Sequence, residues 1–193
     1  MVQNEEENMT LDEVAGMRRS VRHYADSALS ADDVRAKLEE ILGFVGESAP
    51  SWKNSQTHRY YVAVSAEKIA EVRDSLVERN RPKCDNAVAL IVSAFVKDTS
   101  GFSDVDGKKV ADNELGNCWG AYDLGLSDSL LLLKARDAGL DTLIMGLRDS
   151  AALRKSLCIP ADEEVCAVIS VGVRDGEAKK PPRKALSDIA HFM

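Results

Sequence analysis

The chain has 193 residues, of which 45% are hydrophobic and 30% charged, as is typical of a soluble globular protein. This length suits one well-packed domain, so residues 1–193 are predicted to form a single domain. The formal net charge of −7 argues against a general nucleic-acid-binding protein, because such proteins need a broad basic surface. The sequence contains no run of about 18 apolar residues, so no membrane partner is expected.

The cysteines are scattered, with no C-x-x-C pair and no neighbouring histidine that would indicate a zinc site; they are Cys84, Cys118, Cys158 and Cys166. Thiols of this kind favour a reducing compartment. The polar, acidic N-terminus differs from a signal peptide. Together these features predict a cytoplasmic protein without a bound metal.

Residues 1–9 are predicted to be flexible, and a short helix over residues 11–17 leads into the arginine motif, residues 18–22 (RRSVR). Arginine grips phosphate through paired hydrogen bonds, and a serine hydroxyl adds a further donor. In an extended backbone Arg18 and Arg22 point to the same side as the serine between them. The motif is therefore a candidate site for one phosphate. By itself, a solvated basic turn explains it at least as well.

A second helix is predicted to begin at Ser30, with acidic residues in its first turn, and to end before Pro50. The polar segment, residues 49–56 (APSWKNSQ), follows it. Its serine, asparagine and glutamine side chains can hydrogen-bond the polar edge of a heteroaromatic ring. An ordinary polar turn is the alternative. Together with the arginine motif, the segment suggests a phosphorylated heterocycle as ligand.

The predicted strands are apolar or β-branched and lie near residues 60–64, 87–96, 143–146 and 165–173. Two further helices are predicted to be capped by Ser65 and Ser150. Residues 97–118 are polar and are predicted to form a long irregular connection, with a turn rather than a calcium loop at residues 104–107.

The helix predicted over residues 119–138 is apolar nearly all round, which places it at the centre of a domain or in a subunit interface. In the C-terminal tail, residues 176–193, apolar side chains follow a proline-bearing basic stretch. These side chains need another surface, such as that of a partner subunit. The elements together predict an α+β fold.

Four segments, in this order, resemble the FMN-dependent nitroreductase family: the arginine motif, the polar segment, Gly139-Leu140 leading into Ile144-Met145-Gly146, and Pro182-Arg183-Lys184-Ala185-Leu186 before His191-Phe192. The resemblance implies a mixed central sheet flanked by helices. It also implies a homodimer that binds two FMN molecules at the subunit interface, with a domain-swapped C-terminal tail embracing the partner.

The resemblance further implies roles for particular residues. Arg18, Ser20 and Arg22, with Arg19 beside them, would hold the FMN phosphate and ribityl chain or approach the ring edge, and Arg183 would complete the phosphate site.

The ring would be contacted from both chains. The partner would contribute Pro50, Ser51 and Asn54, and Gln56 would lie close to the ring. Met145 and Gly146 would lie beside it, with a backbone N–H near flavin N5.

Lys83 resembles a lysine that lies near flavin N1 and O2 in some relatives, where a cation stabilises the reduced ring. An exposed lysine explains this residue about as well.

Three positions depart from the family pattern. Thr57-His58 replaces the usual Pro-Trp, Gly172-Val173-Arg174 replaces the common Gly-Tyr-Pro, and Met145 stands where some relatives carry glutamate. These changes leave the FMN interpretation intact. The acceptor substrate, which the 97–118 connection tends to select in this family, is left open.

The expected activity is hydride transfer from NAD(P)H through flavin N5 to a small electron-poor acceptor such as a nitroaromatic or a quinone, in a ping-pong cycle. Because the flavin performs the chemistry, no catalytic side chain is predicted. The three histidines are far apart, and no G-x-G-x-x-G motif indicates a Rossmann NAD site. Dehalogenation, flavin cleavage and non-enzymatic FMN binding are the alternatives.

Overall fold

The computed structural model describes residues 9–193, and the prediction of a flexible N-terminus falls almost entirely on residues 1–8, outside that range. The helices in the described range are α1 (Leu11–Met17), α2 (Ala31–Ser48), α3 (Ala66–Asp74), α4 (Cys118–Asp137) and α5 (Ser150–Leu157). The strands are β1 (His58–Ala63), β2 (Ala89–Val96), β3 (Phe102–Val105), β4 (Lys108–Ala111), β5 (Asp141–Met145) and β6 (Glu163–Gly172). Short 3₁₀ turns are Trp52–Asn54, Glu78–Cys84 and Leu186–Asp188.

The helix starts follow from local capping chemistry. The Ser30 hydroxyl accepts a hydrogen bond from the Asp33 N–H, and the Asp33 carboxylate accepts one in return from the Ser30 N–H, which together form a capping box. Ser65 caps α3 as predicted. The prediction that Ser150 caps α5 is wrong. Asp149 does so, because its carboxylate accepts from two backbone N–H groups of the first turn.

The main sheet has the strand order β1-β2-β6-β5, and all three ladders are antiparallel. The parallel component that makes it mixed is a single bridge between Ser20 and Thr142, where the Val21 N–H donates to the Thr142 carbonyl at 3.0 Å. The arginine motif thus lies against the free side of β5.

Helices cover both faces of this sheet. Leu90 and Val92 point into a cluster with residues of α3 and α5, whereas Ala89 and Ile91 point into a second cluster with α2 and α4. Because both faces of β2 are covered, the strand is apolar at nearly every position.

Residues 102–111 form a β-hairpin, so the prediction of an irregular 97–118 connection is wrong there. The turn is made by Asp106 and Gly107, with φ of 52° and 76°. Two consecutive positive φ angles are what a two-residue hairpin turn requires, and an Asp-Gly pair provides them at low cost. The polar composition of the strands, which are largely exposed, conceals this signal.

The helix α4 carries buried polar residues among its apolar ones, contrary to the nearly all-apolar prediction. Asp123, Ser127 and Asp128 are all at most 7% exposed. The Asp128 carboxylate accepts hydrogen bonds from the Tyr60 hydroxyl at 3.0 Å and from the Ser93 hydroxyl at 3.1 Å. Hydroxyl groups on the sheet therefore satisfy carboxylates on the helix. None of the helices in the described range is both long enough and apolar enough to cross a membrane.

The stability of the fold should depend on pH through Asp128. Burial raises the pKa of its carboxyl from 3.8 to about 6, against the smaller opposing effect of the two hydrogen bonds. The stabilising contribution of the protonated form is fully present below the unfolded-state pKa of 3.8 and is lost as the pH rises through about 6. We expect Asp128→Asn to raise the free energy of unfolding at pH 7 by up to about 3 kcal/mol.

Urea unfolding at pH 7 and at pH 4.5 measures this effect, and the advantage of Asp128→Asn should shrink at the lower pH. Asp137→Asn, on the exposed last turn of α4, is the matched control and should shift stability by about 0.5 kcal/mol or less. A destabilised Asp128→Asn at pH 7 would contradict the assignment.

Candidate functional site

Backbone hydrogen bonds hold the arginine motif between two other segments of the chain. Val21 is buried and bonds to β5 through Thr142, as described above. Just after the motif, the Ala25 N–H donates to the Val173 carbonyl at 2.9 Å, and the Asp175 N–H donates to the His23 carbonyl at 3.0 Å. The motif is therefore held between β5 and the segment that follows β6.

The three guanidinium groups of the motif have no carboxylate partner within residues 9–193. Arg19 donates to the carbonyls of Gly16 and Arg18, and Arg22 donates to that of Ser20. Three arginines without a carboxylate partner among residues 9–193, in a chain of net charge −7, have the chemistry to attract an anion.

Two clefts adjoin the motif. One, of about 370 Å³, is lined by Ser20 and Arg22 together with residues 174–179. The other, of about 550 Å³, is lined by Arg19 and by charged residues near the start of β5. Ser20 and Arg22 line one cleft and Arg19 the other, but Val21 and His23 also line the first cleft and Arg18 lines neither. The linings therefore do not test whether Arg18 shares a side with Ser20 and Arg22.

Met145 and Gly146 end β5 on the same edge of the sheet. The Met145 side chain is 4% exposed and packs in the core, so only its backbone is available to a ligand. Gly146 is exposed, and a Cβ added there would meet no atom within 4 Å. Ser20 pairs with Thr142 near the start of β5, and the chain then pairs through Tyr24 with Arg174, beyond the end of β6. The motif therefore lies at the start of β5, whereas Met145 and Gly146 lie at its other end.

Lys83 lies in the Glu78–Cys84 turn, which is attached to the same edge of the sheet. The Val77 N–H donates to the Leu147 carbonyl at 3.3 Å, which ties the Glu78–Cys84 turn to the end of β5. The Lys83 ammonium is half-buried and donates to the Asn80 side-chain oxygen at 2.7 Å. The arginine motif, Met145 and Gly146 therefore share the β5 edge of the sheet, with the motif at the start of β5 and the other two at its end, roughly 13 Å along the strand. The turn that contains Lys83 is attached to that end.

The polar segment lies at the opposite edge, before β1. The Trp52 N–H donates to the Asp123 carboxylate at 2.9 Å, and Lys53 pairs with Asp112 of the hairpin at 3.2 Å. The edges β1 and β5 are three strand spacings apart, roughly 14 Å. One chain therefore does not bring Pro50, Ser51, Asn54 and Gln56 to the arginine motif.

The polar segment is strained and incompletely hydrogen-bonded. Lys53, Asn54 and Gln56 have positive φ angles of 50°, 54° and 47°, in the left-handed region that costs a side-chain-bearing residue about 1–2 kcal/mol. Buried polar atoms without a partner in the described structure are concentrated here: Trp52 Nε1, Ser55 Oγ and Thr57 Oγ1. Backbone strain and unsatisfied polar atoms in one loop are typical of a segment that another molecule completes.

Arg183 lies in the tail, where residues 179–189 are all exposed. Its guanidinium donates only to the nearby carbonyls of Pro181 and Pro182, at 3.2 and 3.5 Å. The structure of one chain thus leaves Arg183 apart from the other predicted site residues.

The Nitroreductase family model matches residues 15–173. This chain belongs to the nitroreductase family. The resemblance based on four sequence segments is thereby confirmed.

Solved structures of family members share the fold. An FMN-dependent nitroreductase from Clostridium difficile R20291 is 24% identical over 93% of this chain and 96% of its own, with a TM-score of 0.68. A nitroreductase family protein from Clostridium difficile 630 is 22% identical over 95% and 98%, with a TM-score of 0.73. An oxidoreductase containing FMN is 21% identical over 99% and 96%, with a TM-score of 0.76. No curated protein matches the chain.

Sequence reasoning missed one cluster in this family member. Asp141, at the start of β5, is 3% exposed and accepts hydrogen bonds from Arg136 and Arg174. The replacement of the common Gly-Tyr-Pro by a sequence ending in Arg174 is the only signal of it, and the partner of Arg174 lies 33 residues away.

Proposed function

We propose that this chain is an FMN-dependent oxidoreductase that takes hydride from NAD(P)H and delivers it to a small electron-poor acceptor, such as a nitroaromatic or a quinone. The observation that carries the proposal is the arginine motif at the edge strand β5, whose three guanidinium groups have no carboxylate partner among residues 9–193. Membership of the nitroreductase family supports the same function.

The residues present suit FMN. Arg18, Ser20 and Arg22 offer hydrogen-bond donors to phosphate oxygens, and no carboxylate among residues 9–193 forms an ion pair with those arginines. Asn54 and Gln56 of the polar segment are exposed and carry amide groups that can hydrogen-bond a ligand. Gly146 leaves space beside its backbone, as close approach of a planar ring requires.

Each group has a role that follows from its chemistry. Arg18, Ser20 and Arg22, with Arg183 from the tail, hold the phosphate. Lys83 places a positive charge at the ring, which favours its reduced form. The chemistry that FMN supplies when bound is reversible hydride transfer at N5. The chain contributes binding, orientation and access.

We further propose a homodimer with two FMN sites, each built from both chains. The arginine motif and the polar segment lie at opposite edges of one chain's sheet, so a second chain must supply Pro50, Ser51, Asn54 and Gln56 to the motif. The tail exposes Leu186, Ile189 and Phe192 by 63%, 68% and 89%, which suits an element that packs on a partner. The four free cysteines suit a reducing compartment, and we propose a cytoplasmic location.

The absorption spectrum of the purified protein, before and after anaerobic NADH or NADPH, tests the function. We expect bound FMN that is bleached by one of the nucleotides and reoxidised by a nitroaromatic or a quinone. A protein that binds no FMN when it is supplied would contradict the proposal. Flavin that neither nucleotide reduces would instead indicate an FMN-binding role without this activity.

Replacing Asn54 distinguishes a loss of ligand binding from a loss of stability. Asn54→Gly removes an amide from the proposed site but places at φ 54° the residue that adopts this angle most easily. We expect a roughly tenfold weaker FMN affinity, with a free energy of unfolding that changes by about 1 kcal/mol or less. Flavin titration and urea unfolding measure the two quantities.

Asp106→Gly, at φ 52° in the hairpin turn, is the matched control, because it makes the same kind of backbone change far from the proposed contacts. It should leave FMN affinity unchanged. Equal FMN affinity in Asn54→Gly and the unmodified protein would remove Asn54 from the site.

A further inference from the structure

Arg174 connects three separate parts of the chain at the edge that carries the arginine motif. Its Nε donates to Asp141 Oδ2 at 2.7 Å, and its Nη2 donates both to Asp141 Oδ1 and to the Met17 carbonyl, the latter at 3.1 Å. Met17 is the last residue of α1, directly before Arg18. Arg174 therefore joins the end of α1 to the start of β5.

This connection holds the peptide unit at which the motif begins. The Arg18 N–H bonds within α1, and Val21 is the next residue to form a backbone hydrogen bond to β5. The Met17 carbonyl, in the same peptide unit as the Arg18 N–H, belongs to the helix end, where carbonyl groups lack intrahelical partners. Arg174 supplies that partner and so fixes the position of the backbone from which the side chains of Arg18 and Arg19 extend.

Asp141 keeps Arg174 in place. The Asp141 side chain is 2% exposed, and its geometry with Arg174 is the two-bond arrangement that fixes a guanidinium plane. The second arginine, Arg136, donates to the same carboxylate at 2.9 Å, so Asp141 remains paired if Arg174 is replaced. Arg174 also lines both clefts beside the motif. The acidic residue Glu177 likewise lines both.

We propose that Arg174, held by Asp141, is a positioning residue for the arginine motif and so sets how much the phosphate contributes to cofactor affinity. Arg174 acts through the Met17 carbonyl on the backbone of Arg18. The inference rests on the proposed FMN function. The common family sequence has proline at this position, so the pairing of Arg174 with Asp141 is a feature of this chain's own sequence.

Comparing FMN with riboflavin tests the inference, because the two ligands differ only in the phosphate. In the unmodified protein FMN should bind more tightly than riboflavin. We expect Arg174→Ala to weaken FMN binding by about tenfold or more and riboflavin binding by about threefold or less, so the ratio of the two dissociation constants falls. Arg174→Lys, which keeps the charge but not the two-bond geometry, should give an intermediate ratio and guards against a misfolded alanine variant.

Arg154→Ala is the matched control. Arg154 likewise donates to backbone carbonyls, those of Pro160 and Glu163, and pairs with a carboxylate, but it joins α5 to the start of β6. Its loss should lower the unfolding temperature while leaving the FMN-to-riboflavin ratio unchanged.

The outcomes are distinct. If the unmodified protein does not bind FMN, the proposed function fails. If it binds FMN and Arg174→Ala weakens both ligands equally, or neither, Arg174 has only a structural role and the inference fails.

Discussion

Replacing Arg18 with alanine should weaken FMN binding by about 10- to 100-fold, and the double replacement of Arg18 and Arg22 should yield protein purified without flavin. A charge-assisted hydrogen bond to a phosphate contributes about 1.5–3 kcal/mol, and each 1.4 kcal/mol corresponds to a factor of ten in affinity. Neither guanidinium has a carboxylate partner among residues 9–193, so its removal leaves no buried charge unpaired. The flavin-to-protein absorbance ratio and a titration with FMN measure the loss.

The Arg35→Ala variant controls for the loss of a positive charge. Arg35 is an exposed arginine of α2 that pairs with Glu39 on the same helix. It should retain full flavin content. If the double variant also retains it, the motif is a solvated turn, the alternative that the sequence left open.

A chain that ends after Lys180 should be monomeric and should lose its flavin. This truncation removes Arg183 together with Leu186, Ile189 and Phe192, which the fold of one chain leaves exposed. Burying three such side chains against a partner would contribute several kcal/mol to association, at about 1.5–3 kcal/mol each. Because the proposed site needs both chains, dissociation should remove the cofactor too. Light scattering coupled to size-exclusion chromatography, with flavin absorbance, measures both effects.

Arg183→Ala in the full chain separates the two contributions of the tail. It should remain dimeric and bind FMN more weakly, because only a phosphate contact is lost. A truncated chain that remains dimeric with a full complement of flavin would show that the tail neither holds the partner nor completes the site.

The strain in the polar segment is consistent with its proposed place at a subunit interface. Three left-handed residues within four positions are costly in an isolated loop. Here the Trp52 N–H is held by Asp123, and Lys53 is held by Asp112, so the rest of the fold imposes the conformation. Such a segment presents Asn54 and Gln56 outward at a fixed angle, which preorganises them for a ligand.

The local structure was readable from the sequence, because its signals lie within a few residues of one another. Ser30 and the acidic residues of the first turn lie within four positions, and the apolar run of β2 is continuous, so the start of α2 and the strand were predicted correctly. The 97–118 connection was misread because its strands are exposed and polar. The Asp106-Gly107 pair is the sequence signal of the hairpin turn, and the polar composition of the two strands obscured it.

The sequence by itself determined the helices, the core strands, the arginine motif and, through four ordered segments, the family. Only the tertiary structure decided that the motif and the polar segment lie at opposite edges of the sheet, and that Asp128 and Asp141 are buried among specific partners. The reason is physical. Capping and periodicity act between near neighbours in the chain, whereas strand order and the pairing of buried charges join residues as far apart as Tyr60 and Asp128, or Asp141 and Arg174.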